Sequence, residues 1–382
     1  MNNLTAEHLV RLVKSVFPRL PDDRYLGIMV DIPRKVEQDN KDWEKRRSMA
    51  SEWYDLLKDR FGELDLHGVV LIAYPDVGSN NAELPAKAFF IDEKLPAVAD
   101  DLGKTGRKVS FEEIFEKVQL FLAVTEYSTT APLKNAAKKY GFRAATMPGF
   151  SADMIPALKI DYNTVNIRVR IIKDKLDKAE SALIKFLVDS RDTYEMFFDL
   201  RHRTAHASSG RFPDKGTAGN LPSGEAYIVP YEGEKGEKSR TQGDLPVQID
   251  NEVALFQVEE NMAVSVKGTG PAAARERDHL QREPAYGNMA ELGFGVLGGF
   301  GLFPIGKILL DEKLGLHIAF GRSEHFGGRI GPEDFSSPEE VIHLDRIYIP
   351  ETQPRIKVAS LVLHMENGTQ ETVILNDKYK CF

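Results

Sequence analysis

The chain is expected to be an α/β protein, with an N-terminal parallel, helix-flanked domain followed by a mostly antiparallel, β-rich (α+β) domain that carries the chemistry. Three observations predict this. At 382 residues the chain exceeds the usual size of one hydrophobic core. Between residues 25 and 149, apolar strand-like runs alternate with helical ones, which is the rhythm of a parallel sheet with crossover helices. From about residue 190 this gives way to short alternating runs separated by Gly, Pro, Asn and Asp. The expected division is therefore 1–190 and 191–382.

In chain order, YLGIMVDI (25–32) reads as a buried strand, KDWEKRRSMASEWYDLLKDRF (41–61) as an amphipathic helix and HGVVLIAY (67–74) as a second strand. FEEIFEKV (111–118) is helical and QLFLAVTEYS (119–128) extended. APLKNAAKKYG (131–141) is a helix closed by Gly141, and FRAATMPG (142–149) is extended. The run 167–190 predicts a long helix, its clearest spacing in IIKDKLDKAESALIKFL. Beyond it, TYEMFFDLRHRTAHAS, EAYIVPYE, VALFQVEENMAVSV, GLHIAFG, VIHLDRIYIP, KVASLVLHME and QETVILND predict an antiparallel β domain, with ARERDHLQREPAY (274–286) as one intervening helix or loop.

Bulk composition narrows the function classes. The formal charge of −8 lacks the basic excess that phosphate-backbone binding demands, so nucleic acid is not an expected partner. Cys381 is the sole cysteine, which leaves any metal to histidines and carboxylates. No stretch has the length of a membrane span, and the N-terminal run lacks the continuous apolar core of a signal peptide. A cytoplasmic location with no membrane partner is expected.

Seven of the nine histidines lie at or beyond residue 202, in the expected β domain. In VIHLDRIYIP, His343 and Asp345 stand two apart, so a strand would present both on one face. NLPSGEAYIVP places Glu225 directly after a Pro-Ser-Gly turn, NMAELGFGVL sets Glu291 before a glycine-rich run, and LGLHIAFG puts His317 in an apolar strand. Taken singly, these read as surface carboxylates and a core histidine. Taken together, two Glu, two His and one Asp make a set suited to divalent ions, with imidazoles and carboxylates able to bridge.

Four segments in order, NLPSGEAYIVP, NMAELGFGVL, ILLDEKLGLHIAFG and IHLDRIYI, resemble the successive motifs of the thermophilic-type metalloaminopeptidases, the aminopeptidase T and S family; upstream AATMPGF is similar to a segment of their N-terminal domain. The resemblance covers roughly residues 120–350 and is strongest after 219. It implies that Glu225, Glu291, His317, His343 and Asp345 ligate two divalent ions (Zn, Co, Mn or Mg). It further implies that Glu225 or Glu291 serves as proton shuttle, that small peptides are substrates and that the chain is a homodimer. One departure stands out. Where the family carries a tyrosine after the strand histidine, this chain reads HIAFGRSEHFGG, with Glu324 and His325; His325 is expected to donate to an oxyanion or to add a ligand.

Two other readings compete. Dihydroxypyridine ring-cleaving dioxygenases resemble the same family but use one Fe(II), for which His317, His343 and Asp345 would supply the two-histidine, one-carboxylate triad. A non-catalytic relative that lost turnover is the third. His202 and His206, spaced H-x₃-H, would form a zinc pair only in a helix, and their context reads as strand and loop. GFGVLGGFG lacks the strand-to-helix setting of a dinucleotide fingerprint, and the Ser-Gly-Glu of 223–225 is no nucleophile elbow.

Overall fold

The computed structural model describes residues 3–92 and 94–382, which form two compact units, Met1–Asn166 with Gly210–Ser223, and Ile167–Ser209 with Gly224–Phe382. The first unit is built on a seven-stranded sheet. Its order is Thr217–Asn220, Arg143–Thr146, Leu120–Ala123, Tyr25–Ile32, Gly68–Pro75, Lys87–Ile91 and Gly106–Ser110. The first five are mutually parallel, and the last two pair antiparallel as an edge hairpin.

Helices Ala6–Val16, Lys41–Leu57, Phe111–Lys117 and Thr130–Tyr140 accompany this sheet. Asn40 caps the second by accepting from the amides of Asp42 and Trp43, and Ser110 and Glu113 form a reciprocal capping box on the third. Gly141 ends the fourth at φ 79°, a left-handed conformation that suits glycine. Buried rings of Phe115, Phe121 and Phe142 pack at 4.8–5.9 Å in the core.

The second unit contains two sheets. Eight antiparallel strands run in the order Met262–Lys267, Glu252–Glu259, Gln242–Ile249, Asp192–Asp199, Ala179–Val188, Ile356–Met365, Gln370–Leu375 and Lys378–Tyr379. Five more, also antiparallel, run His343–Tyr348, Leu316–Gly321, Met289–Gly295, Glu225–Ile228 and His206–Ser208. Ring contacts between Phe186 and Tyr348 and between Phe256 and Phe320, each at 5.0 Å, join the two sheets across a shared core. The segment 274–286, which the sequence reads as helix or loop, falls largely in helix Pro271–Arg282.

The expected helix over 167–190 is corrected. A helix spans Tyr162–Leu176, and Ala179–Val188 is a strand. From Ala182 to Val188 the side chains alternate, with 182, 184, 186 and 188 buried and Lys185 exposed. Burial with period two against Ile356–Met365 outweighs the local helical spacing. The structural division accordingly falls at 166/167 instead of 190, and 210–223 joins the first unit by supplying its edge strand.

Candidate metal centre

The five expected ligands all lie on the five-stranded sheet. Glu225 opens its strand opposite Gly295; Glu291 faces Ala319, which faces Asp345 on the next strand; His317 faces Gly293; His343 faces Gly321. Period-two alternation therefore directs Glu225, Glu291, His317, His343 and Asp345 to one face. Between them stand residues with little or no side chain. A Cβ on Gly293 would collide with the His317 imidazole, and one on Gly295 with the Lys313 backbone. The glycine-rich run after Glu291 is thus the space into which a neighbouring strand's ligand leans.

Each imidazole is oriented by a backbone carbonyl. His317 Nδ1 lies 3.2 Å from Gly315 O and His343 Nδ1 2.8 Å from Arg322 O, which leaves both Nε2 atoms for the centre. His317 Nε2 is 3.2 Å from Glu291 and 3.6 Å from Glu225; His343 Nε2 is 3.4 Å from the other oxygen of Glu291 and 3.7 Å from Asp345. Bonds of about 2.0–2.2 Å to one ion separate its ligand atoms by roughly 3–3.6 Å. Among the described residues, two three-ligand groups bring their atoms within 4.8 Å of one another, Glu225/Glu291/His317 and Glu291/His343/Asp345. Glu291 belongs to both.

The donor set fits cations. Glu225 Oε2 is buried without a hydrogen-bond partner, beside an imidazole nitrogen. Such an orphaned carboxylate oxygen is costly unless a cation meets it. The other oxygen of Glu225 is held by Lys313, which also pairs with Glu312. Lys313 is 4 % exposed, and sequence reasoning missed it, because a lysine in a short turn reads as solvated.

Protonation follows from this crowding. Burial raises the Glu225 carboxyl to about 7 despite Lys313, and burial with the Glu312 charge raises Asp345 to about 6. Burial opposes charge on both imidazoles, but hydrogen bonding to Glu291 and the surrounding carboxylates outweighs it, lifting His317 to about 10 and His343 to about 9. Burial would raise Glu291 too, yet those two imidazoles hold it well below the usual carboxylate range.

Around the centre runs a chain of rings. His325 lies on an exposed turn, 5.3 Å from the His343 ring, with Nδ1 3.4 Å from Glu324. Packing against Phe326 desolvates its ring, and with the charge of His343 this lowers its pKa to about 4. Phe326 packs on His325, His343 and Tyr227, and Tyr227 stacks on His206 at 5.0 Å. Tyr227 also escaped sequence reasoning, although its position two after Glu225 in EAYI was a legible signal. His202 sits in a turn at φ 65° and packs on Tyr231, away from any helical pairing with His206. The GFGVLGGFG run ends a strand and enters the short turn Leu297–Phe300, as expected for a segment that is not a dinucleotide loop.

No protein-family model and no curated protein matches the chain. Two solved structures share its fold over nearly the full length. A 2,5-dihydroxypyridine dioxygenase from Pseudomonas putida aligns with 99 % of this chain and 97 % of its own at 13 % identity and a TM-score of 0.59. AmpT from Thermus thermophilus, an aminopeptidase, aligns over 98 % of both chains at 12 % identity and a TM-score of 0.53. The chain therefore has a distant aminopeptidase-like fold, shared with enzymes of two classes.

Proposed function

We propose that the chain is a metal-dependent aminopeptidase that removes N-terminal residues from short peptides at a dinuclear centre. The observation that carries this reading is the pair of three-ligand groups sharing Glu291, because a carboxylate with one oxygen toward each group is suited to bridging two ions. Bound there, two divalent ions would polarise the scissile carbonyl and acidify a water. With Glu291 common to both groups, the shuttle role falls to Glu225, which belongs to only one of them and would take a proton from water and return it to the departing amine. His325 stands at the rim as a neutral donor. Access as a homodimer is part of the same proposal and is checked by the solution mass.

The test is metal content joined to turnover. Two zinc, cobalt, manganese or magnesium ions per chain, with chelator-sensitive release of amine from amino-acid anilides and dipeptides, is the expected result. One iron per chain and no peptidase activity would sink it in favour of an Fe(II) dioxygenase. A specific observation supports that second reading: Lys313 engages one oxygen of Glu225, weakening it as a ligand, while His317, His343 and Asp345 sit on adjacent strands.

A further inference from the structure

We propose that Tyr227 is a catalytic residue of this centre, its phenol donating a hydrogen bond to the substrate carbonyl oxygen as that oxygen becomes an oxyanion. The inference rests on the hydrolase reading above. Tyr227 follows Glu225 by two in the same strand, so both side chains rise from the face that carries the metal ligands. Its partners across the flanking strands are His206 and Gly293, and beyond Gly293 lies His317. Since a Cβ on Gly293 would strike His317 Nε2, the ligating edge of that imidazole overlies Gly293. It therefore sits about one strand spacing, ~4.8 Å, from the backbone of Tyr227.

The ring is held on two sides. It stacks on His206 at 5.0 Å and 21°, and packs at 4.8 Å against Phe326, which in turn lies 5.4 Å from the His343 ring. Tyr227 is partly buried, and its phenol lies close enough to Glu291 and Glu225 of the centre to feel their charges. A phenol keeps its proton to about pH 10 and is a donor at neutral pH. His325 could donate from the rim, but it rides on an exposed turn with Nδ1 against Glu324, whereas Tyr227 stands on a strand hydrogen-bonded on both sides. In the step itself, the water oxygen bonds to the carbonyl carbon and the carbon–nitrogen bond breaks. The water proton passes through Glu225 to the leaving amine, and Tyr227 retains its own proton throughout.

The test compares Tyr227→Phe and His325→Asn with the unaltered, metal-loaded full chain. For Tyr227→Phe we expect an unchanged metal content, a kcat lower by about 10²–10³, the usual effect of removing one oxyanion donor, and little change in KM. Calorimetry should show a similar loss of affinity for a phosphinic dipeptide mimicking the tetrahedral state, with unchanged affinity for the free amino acid. A comparable fall in His325→Asn, with Tyr227→Phe unaffected, would assign the oxyanion donor to His325 and overturn the inference. Unchanged kcat and phosphinate affinity in Tyr227→Phe, or a fall matched by metal loss, would overturn the inference while leaving the hydrolase reading standing. An unaltered enzyme that neither cleaves anilides nor binds the phosphinate would overturn both.

Discussion

The two ligand groups that meet at Glu291 differ in their relation to water. Glu225, Glu291 and His317 are each no more than 5 % exposed, on strands flanked by neighbours on both sides. The His343 side chain is 19 % exposed, and with Asp345, whose carboxylate is as buried as that of Glu225, it belongs to the strand that forms the edge of the sheet. An inner site walled by hydrogen-bonded strands should hold its ion tightly and exchange it slowly. A site on an edge strand can open by local fraying and should exchange faster. Position in the sheet, more than ligand type, thus separates the two.

The strongest way to break this contrast is Glu291→Gln, which removes the ligand common to both groups. Disturbing an outer partner of a metal ligand already costs about 10–100-fold in affinity, so this variant should lose at least about 100-fold at both sites. Metal analysis after gel filtration should find neither ion and no turnover; retention of both would return Glu291 to an ordinary buried carboxylate. Gly293→Ala should strike the inner site alone by displacing the His317 imidazole. Overpacking of this kind costs about 1–3 kcal/mol, readable as a lower Tm, together with loss of one ion.

Asp345→Asn and His343→Ala sharpen the contrast from the other side. Each should cost the outer ion and leave the inner one, halving metal content with a small effect on Tm. Loss of both ions would mean that the groups are not separable.

The smallest expected effect is graded with pH. Both imidazoles are protonated in the metal-free chain up to about pH 9–10, so binding must expel those protons, and affinity should climb as pH rises from 6.5 toward 9. Calorimetry in buffers of different ionisation enthalpy should register proton release at pH 7.5. For stability the sign runs the other way. Raised imidazoles contribute fully below their unfolded pKa near 6.5, and the contribution is lost as pH rises through 9–10. Glu291, held low, contributes above about 4.3 and loses it only in strong acid. Metal-free protein should therefore lose Tm from pH 7 to 10, and metal-loaded protein should not.

The convergence of the candidate ligands on one face was legible because they obey a period of two and stand beside glycines. His343 and Asp345 announced a shared face, and Glu225 and Glu291 were marked by their turns. What sequence could not show was which strands are neighbours, and so that Glu291 would lie between two imidazoles. Lys313 was illegible for a different reason, since only burial against Glu225 distinguishes it from a solvated lysine. In the fold, four of the five parallel strands of the first unit were read from their sequence, whereas the short edge strand Thr217–Asn220, TAGN, gave no apolar signal. The hairpin of Lys87–Ile91 and Gly106–Ser110 went unread, its second strand being GRKVS, polar enough to pass for loop. Ala179–Val188 was misread because Glu180 and Lys185 break the apolar alternation with a spacing that also suits a helix.

Lys313 has a consequence for how the protein is made. Without metal, the four carboxylates of Glu225, Glu312, Glu291 and Asp345 face three cations, the ammonium of Lys313 and two protonated imidazoles, so the empty centre carries most of its own countercharge. A cluster so nearly balanced has little reason to burst apart when ions are absent. On the dinuclear reading the chain should fold first and be loaded afterwards, and a chelator should strip it to a form that regains its ions on simple re-addition, without passing through unfolding.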